Sequence, residues 1–599
     1  MRWRVAASIG LAVLSGVSGR AAEASLAPEF SAPTPEQLQG IHGLAQSLGW
    51  AAQVPQLRTE AHRAYADGEL EAARAWFQVY RWSVLFAQRD SQFIPQWIRA
   101  VEGAGLAHAG MATQYRAGNF QFGLTISREF QAWLLTHPEF SEAFFALVQP
   151  VDFLPEVFKI LGELHDRDPA RFETYAALAL AIAVVYDVPP PPDWPHRQVM
   201  PEALSRRWPR VSEAFGWWTE EDRAGRTYHR LTDLAAEELK FVVDTPAPLA
   251  ELAWSQQVAN YPLSQLESTY TMIAYREDRA AKRMAMWPEK SYTLPAILGA
   301  GGICVDQTYF ATAAGKARGV PTLFFEGPGR DGRHAWFGFL NEKGKWQMDV
   351  GRYASQRLVT GFARDPQTWS TLSDHAIEFL AERFRTTESF RRSRLHADFS
   401  ADFLAHDDAA AAVKAARRSI EVERRNQTGW EALLAAEQAQ GGPVHEREAT
   451  LRAAMVAFQR FPDLEANYSK RLSASLRARG ETNEAAQEQQ RVARKYQGSR
   501  SDLSVRQARD LLLHSIYTEP VREQVRAYNK LVDQYGRGAG AAFFDQIVVG
   551  FVEHLVQMGE PKAALEAMDR ARRGLKVESG SQLDGDFNRL LKALKEMRP

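Results

Sequence analysis

Sulfur is the scarcest chemistry in this chain: its 599 residues include one cysteine, Cys304. A single thiol cannot close an intramolecular disulfide or build a cysteine-rich zinc knuckle, so the fold must be held by packing. Charge of one sign is missing too, with 72 Lys and Arg against 73 Asp and Glu. Neutralising phosphates needs a basic surplus, so nucleic acid and anionic membrane are disfavoured as main partners. Beyond the first residues no uninterrupted apolar run reaches 18, and Tyr175–Tyr186 (YAALALAIAVVY) is predicted to be a buried helix instead of a span. No Walker-type loop and no His-Glu-x-x-His occurs; His445-Glu446-Arg447-Glu448 lacks the second His. Gly327-Pro328-Gly329-Arg330-Asp331-Gly332 matches G-x-G-x-x-G, but a strand pattern follows it, so the helix N-terminus that would hold a pyrophosphate is missing. No cofactor and no metal are expected.

What is present begins with an export signature. Arg2 and Arg4 precede an apolar stretch, Val5–Val17, and small residues lead to Ala22-Glu23-Ala24. Residues 1–24 are therefore predicted to be a signal peptide, which makes the protein periplasmic or extracellular. The alternative is a membrane-anchored N-terminus. A hydrophobic content of 45% with 11% aromatics excludes wholesale disorder, and the length suggests several domains.

Residues 25–187 read as successive amphipathic helices, for example Ala61–Val79. Residues 188–270 combine a proline-rich linker with further helical text. Four consecutive prolines in Val188–Pro195 forbid helix there, and the stretch is expected to be a rigid surface spacer. From about Pro288 to Tyr353 glycine becomes frequent and strand signals appear at Thr322–Phe325, His334–Leu340 and Lys345–Val350. Residues 366–599 return to helices. Three places carry one local sentence, a glycine followed by paired alanines: Gly68 with Ala72-Ala73, Gly480 with Ala485-Ala486, and Gly559 with Ala563-Ala564. A glycine stop and small residues one turn into the next helix allow close helical pairs. This resembles degenerate tetratricopeptide-type hairpins, and implies a mainly α, solenoid-like architecture around a central α+β region.

The chemistry concentrates in that region, residues 271–365. Gly301-Gly302 supplies a tight turn, Cys304–Ala317 is a good helix sequence, and Gly319 with Pro321 stops it. Cys304 is thereby placed in a first helical turn, where unpaired N–H groups and the positive end of the dipole favour a thiolate and can stabilise an oxyanion. A thiol nucleophile needs a base, and the base an orienting group. His334 opens one predicted strand and Asp349 ends the next. If a loop of two or four residues pairs Asn341 with Gly344, His334 lies opposite Gly351 and Asp349 opposite Trp336. The two then share a face as diagonal neighbours ~7–8 Å apart. A loop of three residues would separate them.

GGICVDQTYFATAAGKARGVPT, then RHAWFGF, then GKWQMD resembles the core of the transglutaminase-like superfamily of papain-related cysteine enzymes. The resemblance covers about Tyr292–Tyr353. It implies a triad of Cys304 as nucleophile, His334 as general base and acid, and Asp349 as orienting carboxylate, with Trp287 or Tyr292 as an oxyanion helper. It also implies acyl transfer on amide bonds of a peptide or protein substrate, by hydrolysis or transamidation, with hydrolysis slightly favoured. The alternative is a catalytically silent domain in a helical-repeat scaffold that binds a protein partner.

Overall fold

The computed structural model describes residues 31–106, 118–204, 206–353, 359–496, 499–513, 517 and 519–596. The predicted signal peptide lies outside the described residues. The protein is mainly helical and carries one five-stranded antiparallel sheet. The strands are β1 (Thr322–Pro328), β2 (Arg333–Leu340), β3 (Trp346–Val350), β4 (Phe362–Arg364) and β5 (Thr371–Ser373), in the order β3-β2-β1-β4-β5. The first three fall where β-branched and aromatic residues announced them. The last two are three residues each, too short for a periodic signal, and β5 lies past residue 365.

The glycine-ended hairpins are present. Gly68, Gly480 and Gly559 all take positive φ (+86°, +86° and +80°), which a residue with a side chain adopts only at a cost. Each is followed by a helix whose alanine is fully buried: Ala73, Ala485 and Ala564. Helices Trp50–Ala66 and Leu70–Ala87 pair in this way at the N-terminal end. The apolar helix Ala176–Tyr186 is buried from Leu178 to its end, as its composition demands. Among the described residues one helical stretch, Ala539–Gln557, is long and apolar enough to cross a membrane by composition, and 61% of its most apolar window is buried inside the molecule.

The Val188–Pro195 stretch is not helical, and Pro189 and Pro192 are exposed as a surface spacer requires, but three of its residues turn inward. Val188, Pro190 and Trp194 are buried. Trp194 packs edge-on against Trp369, which in turn stacks on Trp208. The prolines fix a path that lets these rings enter the core. That core is continuous from the N-terminal helices through Trp194 to the helix of Cys304 and on to Trp369 and Phe399. A separate core, from Ala493 to Leu594, serves the C-terminal helices.

Candidate active site around Cys304

The helix Cys304–Ala317 begins at the cysteine, as its sequence predicts. Gly301 makes the turn at φ +68°, and a Cβ there would lie 2.6 Å from the Ala274 carbonyl oxygen. The incoming backbone is gripped on its other side, where Gly302 N–H donates to Ala274 (2.9 Å) and Arg276 N–H to Gly302 (2.8 Å).

Asp306 closes the helix start. One of its oxygens accepts from Ile303 N–H (2.8 Å) and from Arg279 Nη1 (3.0 Å). The other accepts from Tyr292 Oη (3.0 Å), which accepts from His196 Nε2 (2.7 Å). The direction of that chain follows from Gln198 N–H, which donates to His196 Nδ1 and leaves Nε2 as the protonated nitrogen. Burial pushes His196 down to about 3, so the ring is neutral. Arg279 and Asp306 are 2% and 1% exposed, a buried ion pair with no counterpart in sequence periodicity. The proposed oxyanion helpers are thereby committed elsewhere: Tyr292 to Asp306, and Trp287 Nε1 to the Ser291 carbonyl (3.0 Å).

The backbone N–H groups of Val305 and Ala335 point at the Cys304 thiol. Why Ala335 is free to do so follows from the sheet. Successive residues of a strand offer their N–H and C=O to opposite sides. On the β3 side of β2, pairing ends at Phe337 with Val350, so the backbone of Ala335 has no strand partner there. Its N–H meets the thiol and its C=O accepts from Tyr270 Oη (3.0 Å). Burial nonetheless pushes the thiol up to about 11, against the pull of these two amides. The first-turn placement is as the sequence implied; the net lowering of the thiol pKa expected from it is not found, because desolvation outweighs it.

His334 is buried on the same strand, one residue before Ala335. Its Nε2 lies 2.7 Å from the Gly351 carbonyl oxygen. A carbonyl only accepts, so Nε2 carries the proton and Nδ1 keeps a lone pair, the form a general base needs. Burial lowers the imidazole below its ordinary value, partly offset by that hydrogen bond. Tyr353 stacks on the ring at 4.0 Å between centroids. The Cys304 sulfur helps to raise the phenols of Tyr353, Tyr270 and Tyr275, and Tyr353 is the one of these that also stacks on His334. None of these tyrosines carries a motif in sequence; only the fold collects them.

Asp349 is not part of this pocket, and the diagonal arrangement predicted for it requires correction. The hairpin loop has three residues, Glu342-Lys343-Gly344, with Leu340 opposite Trp346 and Asn341 N–H bonded to Lys345. This length inverts the faces only as far as Gln347, since the pairing of Phe337 with Val350 lies one further register step on. A β-bulge then shifts the register between Phe337 and Phe339. Gly338 makes the bulge possible, because a Cβ there would sit 2.9 Å from the Gln347 oxygen and 3.2 Å from the Met348 Cα. Trp336 Nε1 holds the displaced carbonyl of Met348 (2.9 Å). Asp349 is thrown outward, its side chain 70% exposed and paired with Arg352. Arg352 reaches on to Asp374 (3.5 Å) and lies over the Trp336 ring at 4.7 Å. Asp349 thus makes no contact with His334, whose Nε2 meets the Gly351 carbonyl instead.

The glycine-rich turn Gly329–Gly332 is the tip of the β1–β2 hairpin and docks on the C-terminal helices. Ala541 N–H donates to Gly329 (3.1 Å), Leu583 N–H to Asp331 (3.0 Å), and Gln582 Oε1 accepts from Arg333 N–H (2.6 Å). Arg333, adjacent to His334, is paired with Asp545 and Asp586. Among the described residues no group of three or more His, Cys, Asp or Glu side chains is arranged to hold a metal ion. No protein-family model matches the chain and no curated protein matches it, so the chemistry of the site is read from its own atoms.

Proposed function

We propose that this protein is an exported cysteine enzyme of transglutaminase-like type that attacks amide bonds of peptides or proteins through a thioester. The observation that carries the reading is Cys304 at a helix start, its thiolate favoured by the Val305 and Ala335 amides, together with a His334 next to Ala335 in the strand whose free nitrogen is Nδ1. In the proposed reaction Sγ bonds to the carbonyl carbon while its proton passes to His334 Nδ1. The imidazolium returns that proton to the leaving amine as the C–N bond breaks. Water or a second amine then attacks the thioester, losing a proton to the same nitrogen and releasing the thiol. Because burial holds both partners neutral at rest, proton transfer accompanies attack instead of preceding it. Hydrolysis is favoured slightly over transamidation.

A second reading has specific support. An outward Asp349 and a thiol raised to about 11 also suit a catalytically silent domain in a helical protein-binding scaffold. Acylation by p-nitrophenyl acetate at pH 7.5 separates the two. The enzyme reading expects a burst of p-nitrophenolate equal to one per chain. The burst disappears in Cys304→Ala and slows by about 10²–10⁴-fold in His334→Ala, the usual worth of a general base. A wild-type protein without a burst, or an unchanged rate in His334→Ala, leaves the scaffold reading standing.

A further inference from the structure

Two carboxyls of the helical core, Asp152 and Asp187, are 1% and 4% exposed. Asp152 precedes helix Leu154–Arg167, and Asp187 follows helix Ala176–Tyr186 at the entry to Val188–Pro195. Phe153 N–H donates to Asp187 Oδ2 (2.6 Å), which seats the Asp187 carboxyl against the peptide bond that joins Asp152 to Phe153. Asp152 Oδ2 accepts from Gln149 N–H (2.7 Å) and from Gln367 Nε2 (2.8 Å). The other oxygen of each residue, Asp152 Oδ1 and Asp187 Oδ1, is buried and has no hydrogen-bond partner.

Among the described residues no Lys, Arg or His nitrogen stands at ion-pair distance from either carboxyl. The other charges that reach the two come from Lys240 on helix Ala236–Val243, Asp365 in the turn between β4 and β5, and Glu156 on helix Leu154–Arg167. Lys240 is held by both oxygens of Asp365 (3.0 and 3.1 Å) and by Gln367 Oε1 (2.9 Å), so its charge is already matched. Two neighbouring carboxylates in so dry a place would each lack a counter-charge and keep an unsatisfied oxygen. One proton removes both faults, because a carboxyl O–H on one residue can donate to the orphaned oxygen of the other. Among the described residues no third His, Cys, Asp or Glu joins them to hold a metal ion. Burial, with the charge of Asp152 behind it, pushes Asp187 well above the ordinary carboxylate value, and burial pushes Asp152 up to about 7.

We propose that Asp152 and Asp187 share one proton, forming a pH-sensitive latch that fastens the entry of Val188–Pro195 to the start of helix Leu154–Arg167. The fastened stretch carries Trp194 into the core and leads to His196, which donates to Tyr292 behind the Cys304 helix start. When the proton leaves, two like charges face each other in the core and the latch loosens. The folded chain keeps this proton where the unfolded chain, with carboxyls near 3.8, has released it. The contribution of the latch therefore falls as pH rises from 3.8 towards the folded values. Asp187→Asn and Asp152→Asn test this in the full chain, since an amide N–H donates permanently where the shared proton sits. Urea midpoints of wild type and variants are compared at pH 5, 7 and 9. Each single variant is expected to gain on wild type as pH rises, and the double variant to gain no further, because one proton accounts for the effect. A difference that stays constant across pH, or single gains that add in the double variant, overturns the inference. So does a variant that fails to fold at all three pH values, because asparagine keeps the shape, the accepting oxygen and a donor.

Discussion

Replacing a carboxylate by a carbonyl beside His334 changes what the imidazole can do. The Gly351 oxygen fixes the tautomer and the ring orientation, but it carries no full charge to stabilise an imidazolium. Two outcomes follow at this scale. Asp349→Ala is expected to leave the p-nitrophenyl acetate burst within about twofold of wild type, since an exposed carboxylate paired with Arg352 contributes little. Gly351→Ala is expected to slow the burst strongly and to lower stability by about 1–3 kcal/mol in urea melts. Its φ is +88°, and a Cβ there would lie 2.4 Å from the Tyr270 ring. The pH profile carries a sign as well. Simple alkylation of Cys304 by iodoacetamide requires the thiolate, so its rate should climb with pH towards about 11. A plateau already at pH 7 would mean that the sulfur is far less desolvated than its surroundings indicate.

At the scale of elements, the start of the Cys304 helix hangs on one buried ion pair. Removing one partner strands the other in a medium that cannot solvate it. Asp306→Asn and Arg279→Met are therefore each expected to cost about 3–5 kcal/mol in urea-induced unfolding, and joint apolar replacement to recover part of that loss. Tyr292→Phe removes the hydrogen bond to Asp306 and leaves the buried His196 Nε2–H without its acceptor, and should cost about 1–3 kcal/mol. The β2–β3 hairpin shows where sequence reasoning stops. Its two strands are legible from Phe337, Phe339, Trp346 and their neighbours, but register depends on a loop one residue longer than the shortest choice and on a bulge at Gly338. A shift of one residue exchanges the faces, so the placement of Asp349 was undetermined although both strands were evident.

Across the whole molecule, the C-terminal helices return to the hairpin that carries His334. Gly540 breaks the helix Val521–Phe543 at φ +41°, and a Cβ there would meet the Arg330 oxygen at 2.2 Å. Gly540→Ala is expected to loosen this docking and lower the melting temperature of the full chain. Titration acts at the same scale. His196 is held down to about 3 and His396 to about 4, chiefly by burial, against an ordinary value of 6.5. A buried neutral imidazole contributes stability above pH 6.5 and loses it as pH falls towards those values, because the unfolded chain then binds the proton. For His196 the loss amounts to about 3 kcal/mol by pH 4, at about 1.4 kcal/mol per unit. Asp244, raised to about 6 by burial beside Lys316, has the opposite slope and is destabilising as pH rises from 3.8 to 6. His196→Gln should therefore flatten the acid side of the stability profile measured by denaturant melts; an unchanged slope would assign acid loss to other groups.

By itself the sequence determined the local facts: a mainly helical chain, glycine-ended hairpins, three strands, and a lone thiol in the first turn of Cys304–Ala317. These follow from backbone preferences and periodicity, which act within a few residues. Tertiary structure alone decided which groups surround that thiol. The Arg279–Asp306 pair, the three tyrosines, the Gly351 carbonyl at His334 and the outward turn of Asp349 depend on register and on contacts between distant segments. The free energies that select among those contacts are paid in burial, and burial exists only once the chain has packed.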